Sequence, residues 1–205
     1  KISLVKLKNL TNESRNIGLT YYIRPVLGVS DQLTAMHIKT STGEGNVLFI
    51  ENPYNDEFPG RIAFLETSEK DRSVTGDRKD FIGTGSISSP EGLRIKKLPG
   101  SVGIGFDPCG AMQIDVDLEP GKDKEVVFLL GMGKNTGEIY SIISKYRNVE
   151  NARRALIDTK SFWKDKLGKI NVKTPDEAFN IMLNGWLMYQ VIVCRIWARS
   201  SFYQS

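Results

Sequence analysis

Alternation governs the first two-thirds of the chain. Residues 2–10 read I-S-L-V-K-L-K-N-L, a polar turn follows at Thr11-Asn12-Glu13-Ser14, and alternation resumes over 17–26 with Leu19, Tyr21 and Ile23 on one face. Period-two patterning on both sides of a polar turn predicts antiparallel pairing. Short apolar runs continue at 33–39, 46–51 and 61–66, each bounded by Gly, Pro, Asn or Asp. That spacing predicts a sandwich of antiparallel sheets. From 73 to 105 the many glycines predict loop, much of it on a surface. A turn at Asp107-Pro108-Cys109-Gly110 then leads into the alternating strand 111–118. After Glu119-Pro120-Gly121, the run KEVVFLLG at 124–131 predicts a final strand in the middle of the sandwich.

The period then changes. Asn135 or Thr136 caps a helix through Glu138, Ile139, Ile142, Ile143 and Tyr146, and a second amphipathic helix runs from Val149 through Phe162 and Trp163. A short extended link at 170–173 precedes Thr174-Pro175-Asp176-Glu177, read as N-cap, first helical position and capping box. The helix that starts there is apolar around nearly its whole circumference over 179–197, so it needs burial on most sides. At about 100° per residue Asn184, Arg195 and Arg199 share a stripe roughly 60° wide, facing a polar cavity. The fold class is mainly β with C-terminal α. It comprises an antiparallel β-sandwich over 1–134, a helical linker over 135–172, and over 173–205 the first helix of an all-α unit cut before its core is complete.

Composition narrows the function. A net charge of +4 and a pI near 9.0, with Lys and Arg spread along the chain, argue against nucleic acid as partner. Cys109 and Cys194 are the only cysteines, which excludes a disulfide framework and suits a reducing compartment. Asn184, Gln190 and Arg195 interrupt the apolar run 181–198, against a membrane span. Gly103-Ile104-Gly105 lacks the third glycine of a dinucleotide fingerprint, and no nucleophile elbow, P-loop or zinc cluster occurs. The single His37 reads as strand packing. Asp115 and Asp117 share a strand face and read as solvated charges.

Arg195 and Arg199 are the stronger candidates. A guanidinium on a largely buried helix needs partners, and its planar fork suits phosphate, carboxylate or sugar hydroxyls; an ion pair with a neighbouring helix is the equal alternative. Tyr203 and Gln204 combine the aromatic face and amide common in sugar sites, or simply pack. The loop 77–89, with Asp77, Arg78 and Asp80, either reaches over a site or connects strands.

Five segments together resemble one family: ENPYNDEF at 51–58, DRKDFIG at 77–83, GFDPCGAMQ at 105–113, the FLLG strand end, and NGWLMYQVIVCRIWARSSFYQS at 184–205. That family is glycoside hydrolase family 94, inverting sugar phosphorylases and cyclic β-1,2-glucan synthases. The DPCGAMQ and C-terminal segments resemble the synthases and 1,2-β-oligoglucan phosphorylases most. The resemblance implies an N-terminal β-sandwich, linker helices and an (α/α)6 barrel, here truncated after its first helix. It implies an aspartate general acid, on a barrel loop beyond Ser205, with phosphate attacking the anomeric carbon from the opposite face. No catalytic residue carries over; Arg78, Tyr203 and Gln204 carry over as substrate contacts. Many members have an arginine after the FIG, where this chain has Thr84-Gly85.

The expected function is therefore part of an enzyme acting on β-linked glucans, β-1,2 above all, inactive alone. No cofactor is expected, with inorganic phosphate or glucose 1-phosphate as co-substrate of the parent enzyme. The expected partners are a β-glucan oligosaccharide and a second copy, paired or swapped through the exposed C-terminal helix. The location is cytoplasmic, or tethered at the inner membrane if the parent is a glucan synthase. A carbohydrate-binding or dimerising sandwich is the alternative.

Overall fold

The computed structural model describes residues 1–197, in two compact units, 1–152 and 153 onward. The first unit is a sandwich of two antiparallel sheets. One has five strands in the order β1 (Ile2–Lys8), β8 (Asp123–Gly133), β5 (Ile62–Thr67), β4 (Leu48–Glu51) and β3 (Lys39–Thr42). The other has three, β2 (Arg15–Ile23), β7 (Pro108–Leu118) and β6 (Ser73–Asp77). A helix follows the sandwich, as its strands and then helices foretold.

The buried alternation shows why these strands stack. Leu48, Ile50, Leu65, Val126 and Phe128 from the large sheet meet Val74, Met112, Ile114 and Val116 from the small one, forming the central core. Their neighbours in sequence, Phe49, Phe64, Val127 and Leu129, point the other way and pack under α3 (Thr136–Tyr146) through Ile139 and Ile143. The large sheet is thus covered on both faces, which is why the β8 core is continuously apolar instead of alternating. Each fully buried Leu, Val or Phe contributes about 1.5–3 kcal/mol. The second face of the small sheet is covered in part: Cys109 and Ala111 of β7 lie under Phe81, Ile82 and Leu98. Further along β7, Asp115 and Asp117 emerge into solvent, and Asn16 donates to Asp117 at 2.7 Å.

Several expectations are corrected. β1 and β2 do not pair with each other; β1 pairs with β8 and β2 with β7. The chain changes sheets at Asn9, which is 4% exposed and whose side-chain amide donates to the Glu13 (2.8 Å) and Leu118 (3.0 Å) carbonyls. Residues 33–39 do not form a strand. Asp31–Thr34 is one helical turn (α1), followed by a 3-10 turn Ala35–His37, and the His37 ring lies 4.9 Å from Tyr54. Within the glycine-rich stretch, β6 and the short helix α2 (Arg78–Ile82) are regular. The segment 101–103 laces the sheets together, Ser101 O accepting from Gly76 N (2.7 Å) and Gly103 O from Thr40 N (2.9 Å).

Helix α4 (Val149–Leu167) leads into the second unit. Its C-terminal helix starts with α5 (Glu177–Ile181) and continues through a π-type turn Met182–Trp186, α6 (Leu187–Gln190) and a π-type stretch Val191–Trp197. The N-cap is Asp176, not Thr174: its carboxylate accepts from Ala178 N (2.9 Å) and Phe179 N (3.3 Å). Thr174 is held instead by Asn180, and Asn184 grips Val172 by its N–H (2.6 Å) and carbonyl (2.8 Å). Asn184 therefore ties down the extended link. Trp163 of α4 packs on Tyr189 and Trp197 with ring centroids 5.2 and 5.3 Å apart. Phe179, Ile181, Met182, Trp186 and Ile196 stay exposed, so the burial expected of this helix is not met among the described residues.

Candidate functional site

The strand order β2-β7-β6 brings three loops together at one end of the small sheet, because Ile23 and Asp77 both pair with the start of β7. Arg24 follows β2, Arg78 opens α2, and Asp107 precedes β7. Asp77 caps α2 by accepting from Lys79 N at 2.9 Å, which fixes the direction in which Arg78 leaves the strand. The Arg78 N–H donates to the Asp107 carbonyl at 2.7 Å and its guanidinium to Asp107 Oδ2 at 3.2 Å. Arg24 donates to Asp107 Oδ1 and, in a bidentate pair, to both oxygens of Asp31 at 3.2 and 2.9 Å.

Tyr22 forms the floor, its ring stacked on Phe81 at 4.8 Å. Burial pushes the Tyr22 phenol above its ordinary value, with Arg78 opposing, so it stays a neutral donor and acceptor. Carboxylate partners hold both arginines more firmly charged than usual. Tyr22, Arg24, Asp31, Arg78 and Ile87 line an open cleft of about 430 Å3, with Asp107 bridging the two arginines. Two guanidiniums facing two carboxylates leave the cleft near neutral, and all four side chains are 31–38% exposed. Fixed donors and acceptors beside an aromatic ring suit a neutral, hydroxyl-rich ligand; a free phosphate would have to displace an aspartate.

Of the sequence-predicted residues, Arg78 lies in this cluster. Arg195 belongs to the other unit, exposed on the C-terminal helix, and makes no ion pair among the described residues. Arg199, Tyr203 and Gln204 lie outside the described residues. Sequence reasoning missed Tyr22, Arg24, Asp31 and Asp107 as members of one site, since only strand order brings positions 22–31 beside 78 and 107. A charged residue directly after the apolar strand end YYI was the available sign for Arg24. Thr84, where an arginine was looked for, donates to Glu91, and Gly83 (φ 63°) leaves room for that carboxylate; a Cβ there would sit 2.0 Å from Glu91 Oε2.

Among the described residues no group of three or more His, Cys, Asp or Glu side chains is placed to hold a metal ion. No helix among them is long and apolar enough to cross a membrane.

Comparison with known proteins gives two matches along the chain. Residues 1–149 match the glycosyl hydrolase 94 supersandwich domain, and residues 162–205 match the glycosyl hydrolase 94 superfamily catalytic domain. Cyclic beta-(1,2)-glucan synthase NdvB of Rhizobium meliloti (strain 1021) is 34% identical over 208 residues, covering 100% of this chain and 7% of the relative. N,N'-diacetylchitobiose phosphorylase of Vibrio furnissii is 26% identical over 95% of this chain and 25% of its own length. Cellobionic acid phosphorylase of Neurospora crassa is 26% identical over 91% and 24%. The chain thus spans a quarter or less of these relatives. With its sandwich matched from first strand to last, the chain belongs to the glycosyl hydrolase 94 family, whose relatives include a glucan synthase and disaccharide phosphorylases.

Proposed function

We propose that these residues are the sandwich, linker helices and first barrel helix of a larger enzyme that synthesises, trims or phosphorolyses β-linked glucans, β-1,2-glucan first. The observation that carries this reading is the 34% identity to a cyclic beta-(1,2)-glucan synthase along the whole chain, against 26 to 29% to phosphorylases of other disaccharides. In this account the general acid lies outside the 205 residues, so the chain alone turns nothing over. Inorganic phosphate or glucose 1-phosphate is the co-substrate, and the enzyme works in the cytoplasm or at the inner membrane.

Arg78, held by Asp107, presents its guanidinium to substrate hydroxyls. Arg195, Arg199, Tyr203 and Gln204 are the further substrate contacts of this reading. The exposed Phe179, Ile181 and Trp186 favour a subunit contact through the C-terminal helix. Phosphate release from glucose 1-phosphate in the presence of short β-1,2-glucans, measured on the intact gene product with Arg78→Met beside it, tests the reading. Loss of activity in the variant with an unchanged melting temperature supports it; full activity in the variant removes Arg78 from the site.

A further inference from the structure

A second cleft, of about 290 Å3, lies on the sandwich between the loop 27–29, the loop 52–61 and β8. Its first wall is stiff. Leu27 takes a φ of 37°, a left-handed conformation that costs a side-chain-bearing residue about 1–3 kcal/mol. Two amides hold it there, Asn52 Nδ2 at 2.9 Å and Asn55 Nδ2 at 3.1 Å from the Leu27 carbonyl. The Thr34 hydroxyl fastens the start of the same loop at the Val26 carbonyl, and a Cβ on Gly28 would meet Thr34 Cγ2 at 2.4 Å. Both asparagines also use their oxygens, on the N–H groups of Tyr54, Glu57 and Phe58, so they are structural.

The groups left over are of two kinds. Phe58, Val29 and Met132 are 53, 88 and 50% exposed. Glu57 and Arg61 line the same cleft, and neither side chain makes a hydrogen bond or ion pair among the described residues.

We infer that this cleft binds a neutral saccharide, stacking the C–H face of a pyranose on Phe58 and offering its hydroxyls to Arg61 and Glu57. Size favours a small ligand, since small-molecule clefts start near 300 Å3 and a docked helix needs a long groove. Charge favours a neutral one: a phosphate would meet Glu57, and an apolar side chain would leave the donors and acceptors of Arg61 and Glu57 unused. The choice of a β-linked glucose disaccharide as ligand rests on the proposed function; the cleft's preference for a hydroxylated ring does not. Its residues are separate from the Arg24–Arg78 cluster, so the two readings fail independently.

The test is an amide and methyl NMR titration of the 205-residue chain with β-1,2-linked glucobiose, with β-1,4-linked glucobiose and sodium phosphate as further probes. Saturable shifts at Val29, Phe58 and Met132 are expected with either disaccharide and none with phosphate. Phe58→Ala and Arg61→Met should each weaken binding about tenfold or more while the rest of the spectrum stays in place. Absence of saturable shifts, or shifts unchanged in both variants, would overturn the site. So would shifts at these residues that follow protein concentration without sugar, because they would mark a contact between copies.

Discussion

Glu66 and Arg72 are the most demanding pair in the sandwich. Their side chains are 0 and 4% exposed, and they pair with each other while Arg147 stands 3.8 Å from Glu66 Oε1. Glu66 Oε2 and Arg72 Nε have no hydrogen-bond partner. Burial pushes the Glu66 carboxyl above its ordinary 4.5, with Arg72 pulling it back. With the carboxyl raised, folding favours its neutral form, so Glu66→Gln should cost less than Arg72→Met. Arg72→Met removes the countercharge from a group with no access to water and should lose about 3–5 kcal/mol. Glu66→Leu/Arg72→Met removes both charges and should return to within about 1 kcal/mol of the parent.

The pH dependence has a definite sign. With the folded carboxyl raised, its contribution to stability is fully present below pH 4.5 and is lost as pH rises through the folded value. Arg72→Met raises that value further, so its stability should keep falling to higher pH than the parent's, and the apolar double variant should lose this dependence. Trp163, Trp186 and Trp197 all lie beyond Ala152, so tryptophan fluorescence follows the other unit. Hydrogen exchange at the β5 and β8 amides therefore reads the sandwich. A loss below 1 kcal/mol for Arg72→Met, or a double variant as unstable as the single, would refute this account of the pair.

Cys109 is buried, and its thiol is pushed up to about 12 by desolvation and then by Asp77 and Asp107, whereas Cys194 is exposed; one thiol per chain should react with a disulfide reagent at pH 8, and two in guanidinium. Gly110→Ala should cost about 1–3 kcal/mol by thermal unfolding, because the new Cβ would lie 2.6 Å from Leu65 and 2.9 Å from Ile23 between the sheets. Asn135 caps α3 through Glu138 N at 2.9 Å, so Asn135→Ala should lose about 0.5–2 kcal/mol in the same assay. Asp107→Asn should cost about 1 kcal/mol or less in stability, since its pairs are partly exposed. It should lower kcat/KM of the intact enzyme up to about 100-fold by releasing Arg78.

Local patterns carried much of this fold. The alternation of 111–118 and the apolar run 124–131 placed β7 and β8, and the cap at Asn135 placed α3, because each element's own residues decide it. Pairing was less legible. β1 and β2 look like a hairpin in sequence, yet the buried Asn9 turns the chain from one sheet to the other, a corner that no short-range pattern announces. In the same way Arg78 was readable from its segment, but the residues clustered with it, Arg24, Asp31 and Asp107, are 54, 47 and 29 positions away in sequence. The short strand β6, rich in polar and small residues, is recruited by β7 and carries little pattern of its own.

The central claim is that this sandwich serves an enzyme of β-linked glucans. It is tested most directly by incubating the intact gene product with β-1,2-glucan oligosaccharides and inorganic phosphate and following glucose 1-phosphate, together with the change in glucan chain length. The account predicts phosphorolysis or chain-length redistribution, lost in Arg78→Met. Neither change with β-1,2-, β-1,3- or β-1,4-linked glucans would contradict it.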